Sequence, residues 1–124
     1  MLDIRRESSD VVVLGSGAAG LAAALSAALA GASVVLLERS SVLGGTTALS
    51  GGTCWIPNRG EDDPIAGRAD ALAYLSSLSH GYINPSIAEA FVDEASPTID
   101  WIEANTQLKF SLVEGFPDYH PEHP

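Results

Sequence analysis

Hydrophobic positions along the chain change period twice. Val11-Val12-Val13-Leu14 is an unbroken apolar run, and Ser33 to Leu37 closes a second one. Short continuous runs of this kind, bounded by turn residues, predict buried strands. Between them, Leu21 to Ala30 is alanine-rich and free of proline, the composition of a strong helix former. Gly31 follows as its C-terminal cap. The first third of the chain therefore predicts strand, helix from near Ala18, and strand. Beyond residue 60 the period becomes helical. Leu72, Leu75 and Leu78, with Ile65 and Ala69, form one stripe of a helix running from Pro64 to about Ser79. Asp62 or Asp63 would cap it, Pro64 suits its first turn, and His80-Gly81 ends it. Asn84-Pro85 starts a second helix, with Ile87, Phe91, Ala95, Ile99 and Ile102 on one face, and Pro97 is expected to kink or divide it after Ser96. Trp101 reads as a core residue. Leu108 to Val113 alternates apolar and polar residues and predicts a half-buried strand, followed by a proline-rich loop or tail.

The turn between the first strand and helix carries Gly15, Gly17 and Gly20 in the order G-x-G-x-x-G, with Ser16, Ala18 and Ala19 between them. Gly15 allows the tight turn, Gly17 lets a pyrophosphate approach the backbone, and Gly20 lets the helix pack closely on the strands. The helix start directs free N–H groups and a positive dipole end at an anion. Glu38 closes the second strand, where a carboxylate accepts hydrogen bonds from both ribose hydroxyls of an adenosine and repels a 2′-phosphate. Strand, glycine turn, helix, strand and acid at this spacing predict an α/β fold, a Rossmann-type βαβ unit that binds a dinucleotide.

Composition narrows the class. The chain has 124 residues, enough for one domain, and 46% of them are hydrophobic. A net charge of −10 argues against nucleic acid as a partner. One cysteine, Cys54, excludes an intrachain disulfide and fits a reducing, cytoplasmic setting. The alanine-rich helix is too short for an integral membrane segment. Arg5-Arg6 hints at a twin-arginine export signal, but Glu7 to Asp10 intervene and the glycines are spaced for a phosphate turn. Two histidines, His120 and His123, are separated by prolines that prevent a helix, and no metal site is expected.

A second glycine segment follows Glu38 and Arg39: Gly44-Gly45-Thr46-Thr47-Ala48-Leu49-Ser50-Gly51-Gly52. Its glycine pairs let backbone approach something flat or anionic, and its hydroxyls can donate to phosphate or ring acceptors. With G-S-G-A-A-G, E-R and Cys54-Trp55-Ile56-Pro57-Asn58, it resembles the N-terminal part of the fumarate reductase and succinate dehydrogenase flavoprotein superfamily. Within that superfamily the likeness is to the FAD-dependent 3-ketosteroid dehydrogenases, above all the Δ1-dehydrogenases. The resemblance implies FAD as cofactor. Its pyrophosphate would lie on residues 15–20, its adenosine ribose on Glu38, and its flavin along residues 44–52. Covalently flavinylated relatives carry a histidine in the second segment; residues 44–52 contain none, so non-covalent FAD is implied.

The resemblance also implies dehydrogenation of a small hydrophobic ketone or steroid, with an external electron acceptor. Pro117-Asp118-Tyr119 is similar to the place where these enzymes carry an active-site tyrosine, which makes Tyr119 the catalytic candidate. A loop tyrosine packing its ring is the alternative. The expected organisation is a polar lead-in (1–9), a βαβ unit with the second glycine segment (10–58), and a helical insertion, strand and start of a substrate-side loop (59–124). Family members are several times longer. The chain is therefore expected to be a truncated N-terminal fragment, marginally stable and inactive by itself. Other readings are an enoate-reducing flavin enzyme, a non-catalytic FAD-binding fragment and an NAD-binding module. An anionic enoate substrate would call for arginines, and only Arg59 and Arg68 lie beyond the flavin segment.

Overall fold

The structure is a computed structural model that describes residues 7–60, 64–116 and 119–121. Two compact units divide the chain, residues 1–54 and 55–124. In the first, strand β1 (Val11–Leu14), helix α1 (Ala18–Leu29) and strand β2 (Val34–Leu37) form the predicted βαβ unit. The strands pair in parallel with Val11 opposite Val34 and Leu14 opposite Leu37. Asp10 and Ser33 fasten the start of this ladder. Ser33 N–H and Oγ donate to the Asp10 carboxylate at 2.8 and 2.6 Å, which lowers its pKa, the hydroxyl contributing most.

Helix α1 stops for the predicted reason. Gly31 takes φ +88°, its N–H donates to the Ala28 carbonyl, and the Ala32 N–H reaches back to Ala27. These are the two bonds of a Schellman ending, in which glycine adopts the left-handed conformation without a Cβ penalty. After β2 the chain winds into a short 3-10 helix, Gly45–Leu49, inside a segment that the sequence presents only as a glycine-rich loop.

In the second unit α2 (Pro64–Leu78) packs on α3 (Pro85–Asn105). Asn84 caps α3 by accepting the Ser86 N–H at 3.0 Å. The Arg68 guanidinium lies across to Asp93 with contacts of 2.6 and 2.9 Å. That pairing lowers the Asp93 pKa. Trp55 packs against Tyr74 and Phe91 with ring centroids 5.4 and 6.0 Å apart. The Asp62 and Asp63 capping expectation lies outside the described residues.

Four expectations need correction here. The alternating segment 108–113 is not a strand. Its backbone donors go to nearby side chains instead: Leu108 N–H to Thr106 Oγ1 and Phe110 N–H to Glu103 Oε1. Leu112 is left 85% exposed. Of the two outcomes expected at Pro97, a kink or a division, the division does not occur. Helix α3 runs unbroken for 21 residues. Arg59 Nη1 binds the Ser96 carbonyl, the Ser96 hydroxyl and, at 2.7 Å, Asp100, so one guanidinium bridges the turns on either side of the proline. The fully buried residues of α3 are Ala88, Val92 and Ile99; of the predicted face Ile99 is buried and Ala95 and Ile102 are half-buried. Ile87 and Phe91 are exposed. On α2 the predicted Leu72, Leu75 and Leu78 are half-buried, Ala71 is buried, and Ile65 and Ala69 are exposed.

Candidate cofactor site

The first glycine turn continues the parallel ladder by one bond, from Gly15 N–H to the Leu37 carbonyl at 2.7 Å. The chain then buries Ser16 completely. A buried hydroxyl needs partners, and Ser16 finds them on two distant segments. Its Oγ donates to Glu38 Oε2 at 2.6 Å, and its N–H donates to the same oxygen at 3.0 Å. The Gly44 N–H donates to Ser16 Oγ at 2.8 Å. Glu38 Oε1 accepts the Ser40 N–H at 2.8 Å. The Ser16 hydroxyl first, then the backbone donors of Ser40 and Ser16, bring the Glu38 pKa down to about 2. Partial burial opposes that shift weakly. Glu38 is therefore ionised throughout the neutral range, and donors from Ser16 and Ser40 already hold it.

Helix α1 begins at Ala18 with Gly17 as its extended N-cap residue (φ −66°, ψ 177°). Glycine brings no capping side chain. The cap comes from the second glycine segment: Thr47 Oγ1 accepts the Ala18 N–H at 3.2 Å. Among the described residues, the N–H groups of Gly17, Ala19 and Gly20 donate to no protein acceptor. These are the orphan donors of a helix start, at its positive end.

The glycines divide by what surrounds them. A Cβ on Gly17 would meet nothing nearer than Thr47 Oγ1 at 3.9 Å, so its face is open. A Cβ on Gly20 would lie 2.0 Å from the Gly15 carbonyl oxygen, so that glycine is required by packing. A Cβ on Gly45 would come within 3.5 Å of the Gly17 Cα, so the two glycine segments run side by side. Gly44 holds φ +109° and faces Ala48. Farther along, the Ser50 hydroxyl donates to the Thr47 carbonyl and accepts the Gly52 N–H, while Gly51 and Gly52 border open space. Thr46 and Arg39 are exposed.

Open backbone at Gly17, unused amides at a helix start and a fixed carboxylate fit the diphosphate and ribose of a dinucleotide. Ser16 through Gly20, Glu38, Gly44, Gly45 and Thr47 are thus brought together in one unit. Tyr119 belongs to the other unit. It is 78% exposed, and its ring meets Phe116 edge-on at 5.9 Å. Its neighbours Pro117 and Asp118 lie outside the described residues. The glycine motif marked Ser16 as a site residue, but nothing in sequence spacing showed its bond to Gly44, 28 positions away.

Comparison with known proteins agrees with this geometry. Residues 10–122 match the family described as FAD binding domain. The chain is 42% identical over 122 residues to 3-oxosteroid 1-dehydrogenase of Mycobacterium tuberculosis, covering 93% of this chain and 21% of that protein. It is 40% identical over 122 residues to 4-oxocyclohexanecarboxylate 2-dehydrogenase of Sinomonas cyclohexanicum, covering 96% and 21%. The fold is similar to the crystal structure of 3-ketosteroid delta1-dehydrogenase from Sterolibacterium denitrificans in complex with 1,4-androstadiene-3,17-dione. There the TM-score is 0.82 at 35% identity, with 94% of this chain and 21% of that chain covered. The chain spans about a fifth of the length of the curated relatives it matches. The chain belongs to the FAD binding domain family, and its cofactor is FAD.

Proposed function

We propose that this segment holds FAD, non-covalently, in an oxidoreductase that dehydrogenates a ring ketone of the 3-ketosteroid kind. The observation that carries the reading is the pairing of open Gly17 backbone and unused α1 amides with a second glycine segment fastened alongside. The amides of Gly17, Ala19 and Gly20 would hold the diphosphate, and Glu38 the adenosine ribose. Residues 44–52 would lie along the flavin, with Thr46, Thr47 and Ser50 supplying hydroxyls and Gly51 and Gly52 leaving room. Arg39 flanks the adenosine side of the site. FAD, when bound, supplies the hydride acceptor at N5. The substrate loses a proton to a base beside the ketone and a hydride from the neighbouring carbon, and a ring double bond forms between them. Tyr119 would stand on the substrate side.

Enoate reduction is the second reading of the same scaffold. A relative named urocanate reductase supports it, while in this segment Arg59 is engaged by Ser96 and Asp100 and Arg68 by Asp93. Neither is a spare cation for an anionic substrate. Relatives named for 3-oxosteroid and 4-oxocyclohexanecarboxylate dehydrogenation support the ketone.

Two experiments test this. The purified chain, incubated with FAD and cleared of free cofactor, is expected to keep the visible flavin band and to lose it with Gly17→Val. A variant that keeps as much flavin as the wild type overturns the assignment of Gly17. The whole protein is expected to turn over a 3-ketosteroid with an artificial electron acceptor, and Tyr119→Phe to slow it. This chain alone is expected to show no turnover.

A further inference from the structure

The FAD site is built from two segments that meet at one buried hydroxyl. Ser16 Oγ has one hydrogen to give and lone pairs to share. It gives to Glu38 Oε2 and accepts from the Gly44 N–H. Ser16 has no exposed surface, so water cannot replace either partner, and losing the hydroxyl would leave the Gly44 amide without its acceptor. Glu38 is affected too. Of its two oxygens, Oε2 takes both Ser16 donors and Oε1 takes the Ser40 amide, and the Arg39 backbone is the weakest of the donors that meet the carboxylate. A carboxylate offers about four acceptor positions, so the spare capacity sits on Oε1.

We propose that Ser16 is a positioning residue: its hydroxyl latches the second glycine segment to the first and turns the Glu38 carboxylate so that Oε1 remains available to the FAD ribose. This deepens the FAD reading and rests on it. The motif alone assigns Ser16 no such task, since any small residue satisfies G-x-G-x-x-G. The groups that meet the Glu38 carboxylate are the Ser16 hydroxyl and amide from the β1–α1 turn, and the Ser40 and Arg39 backbone from the end of β2. No charged side chain is in that set. Ser16 contributes most to keeping the carboxylate ionised, so its removal moves the Glu38 pKa up toward ordinary values.

The test compares the wild-type chain with Ser16→Ala and Ser16→Cys; cysteine fills nearly the same space with a weak donor. Two readouts are taken. Without flavin, amide exchange at Gly44 and the carboxyl titration of Glu38 are followed by NMR. With flavin, FAD affinity is measured by fluorescence quenching from neutral pH into acid. Both variants are expected to speed exchange at Gly44 and raise the Glu38 midpoint. FAD affinity is expected to weaken on the order of tenfold, as loss of a hydrogen bond to a charged group implies, and to fall off at higher pH than in the wild type. Unchanged Gly44 exchange and Glu38 titration in Ser16→Ala would overturn the latch. A cysteine variant that behaves as wild type would do the same, because packing alone would then suffice. If the flavin-free readouts shift while the wild-type chain binds no FAD, the latch stands and the FAD assignment to these residues falls.

Discussion

Alanine at Gly20 sets two effects of opposite sign against each other. Gly20 lies in the first turn of α1, where replacing glycine by alanine gains about 1 kcal/mol of helix propensity. The same methyl would sit 2.0 Å from the Gly15 carbonyl oxygen and 3.0 Å from its carbon, both backbone atoms. Carbon and carbonyl oxygen meet at about 3.3 Å, so helix and turn must part by about 1.3 Å. Neither is free to move: Gly15 is bonded to Leu37, and Ser16 to Glu38. Forced displacement in a packed region costs about 3 kcal/mol. The net expectation is a loss of about 2 kcal/mol, read as a fall of about 1 M in the urea midpoint at unchanged slope. Gly17→Ala is the control. Its new methyl meets nothing within 3.9 Å at an ordinary φ of −66°. Poorer capping and a less flexible unfolded chain nearly offset, so stability should stay within about 0.5 kcal/mol. FAD affinity should fall by about tenfold or more, because the methyl occupies the open face. A stabilised Gly20→Ala would show that propensity wins and that the close approach is not what holds this turn. Equal stability losses in the two variants would remove the distinction between a packing glycine and a ligand-facing one.

Two further outcomes follow from the charged groups. Glu38, with an ordinary value near 4.5, is lowered to about 2 by its donors, and Asp10 is lowered by Ser33. Their contribution is complete above the ordinary values and is lost as pH falls through the depressed ones. The urea midpoint should therefore be flat above about pH 5 and decline toward pH 2, and Glu38→Gln should remove part of that decline. Arg59→Ala should raise amide exchange in α3 by a few-fold around Asp100 and Glu103, because the guanidinium that spans Pro97 is gone. The side chains are partly exposed, which keeps the effect small, and the turn at Ala88 should not respond.

How much of this was legible in the sequence depends on the range of the interaction. Strand, helix and strand over residues 11–37 follow from local composition, and the cap at Gly31 from a single residue whose conformation is its own. The grouping of Gly15, Gly17, Gly20 and Glu38 was legible because a known motif ties them together. What failed was tertiary. Segment 108–113 has the alternation of a strand, yet Thr106 and Glu103 take its amides. On α3 the small residue Ala88 is buried while the larger Ile87 and Phe91 are exposed, an order that side-chain size does not predict. Pro97 carries the local signal of a break, yet the helix continues past it, with an arginine 38 positions earlier bonded to Ser96 and Asp100 on either side. The Ser16 and Thr47 bonds are of the same kind: each is a single side chain reaching across a loop, with no period to reveal it.

Those two bonds also bear on how a ligand enters. The start of α1 offers a row of amides, and the protein itself uses some of them: Ser16 N–H goes to Glu38 and Ala18 N–H to Thr47. Gly17, Ala19 and Gly20 are left over. If FAD takes only what is left over, binding adds to the existing network, and Thr47 is an ally that holds the helix start and keeps its hydroxyl hydrogen for an acceptor. If FAD displaces Thr47 from Ala18, the threonine is a competitor. Thr47→Val separates the two, since it keeps the shape and deletes the oxygen. Loss of the cap should cost about 1 kcal/mol in the urea midpoint either way. Addition predicts that FAD affinity falls alongside it; displacement predicts that affinity holds or rises as a competing acceptor disappears. We expect the fall, because Gly45 already lies beside Gly17 and the Ser16 bond holds that approach without a ligand. An affinity that rises while the midpoint drops would mean that the second glycine segment must move before the cofactor can bind.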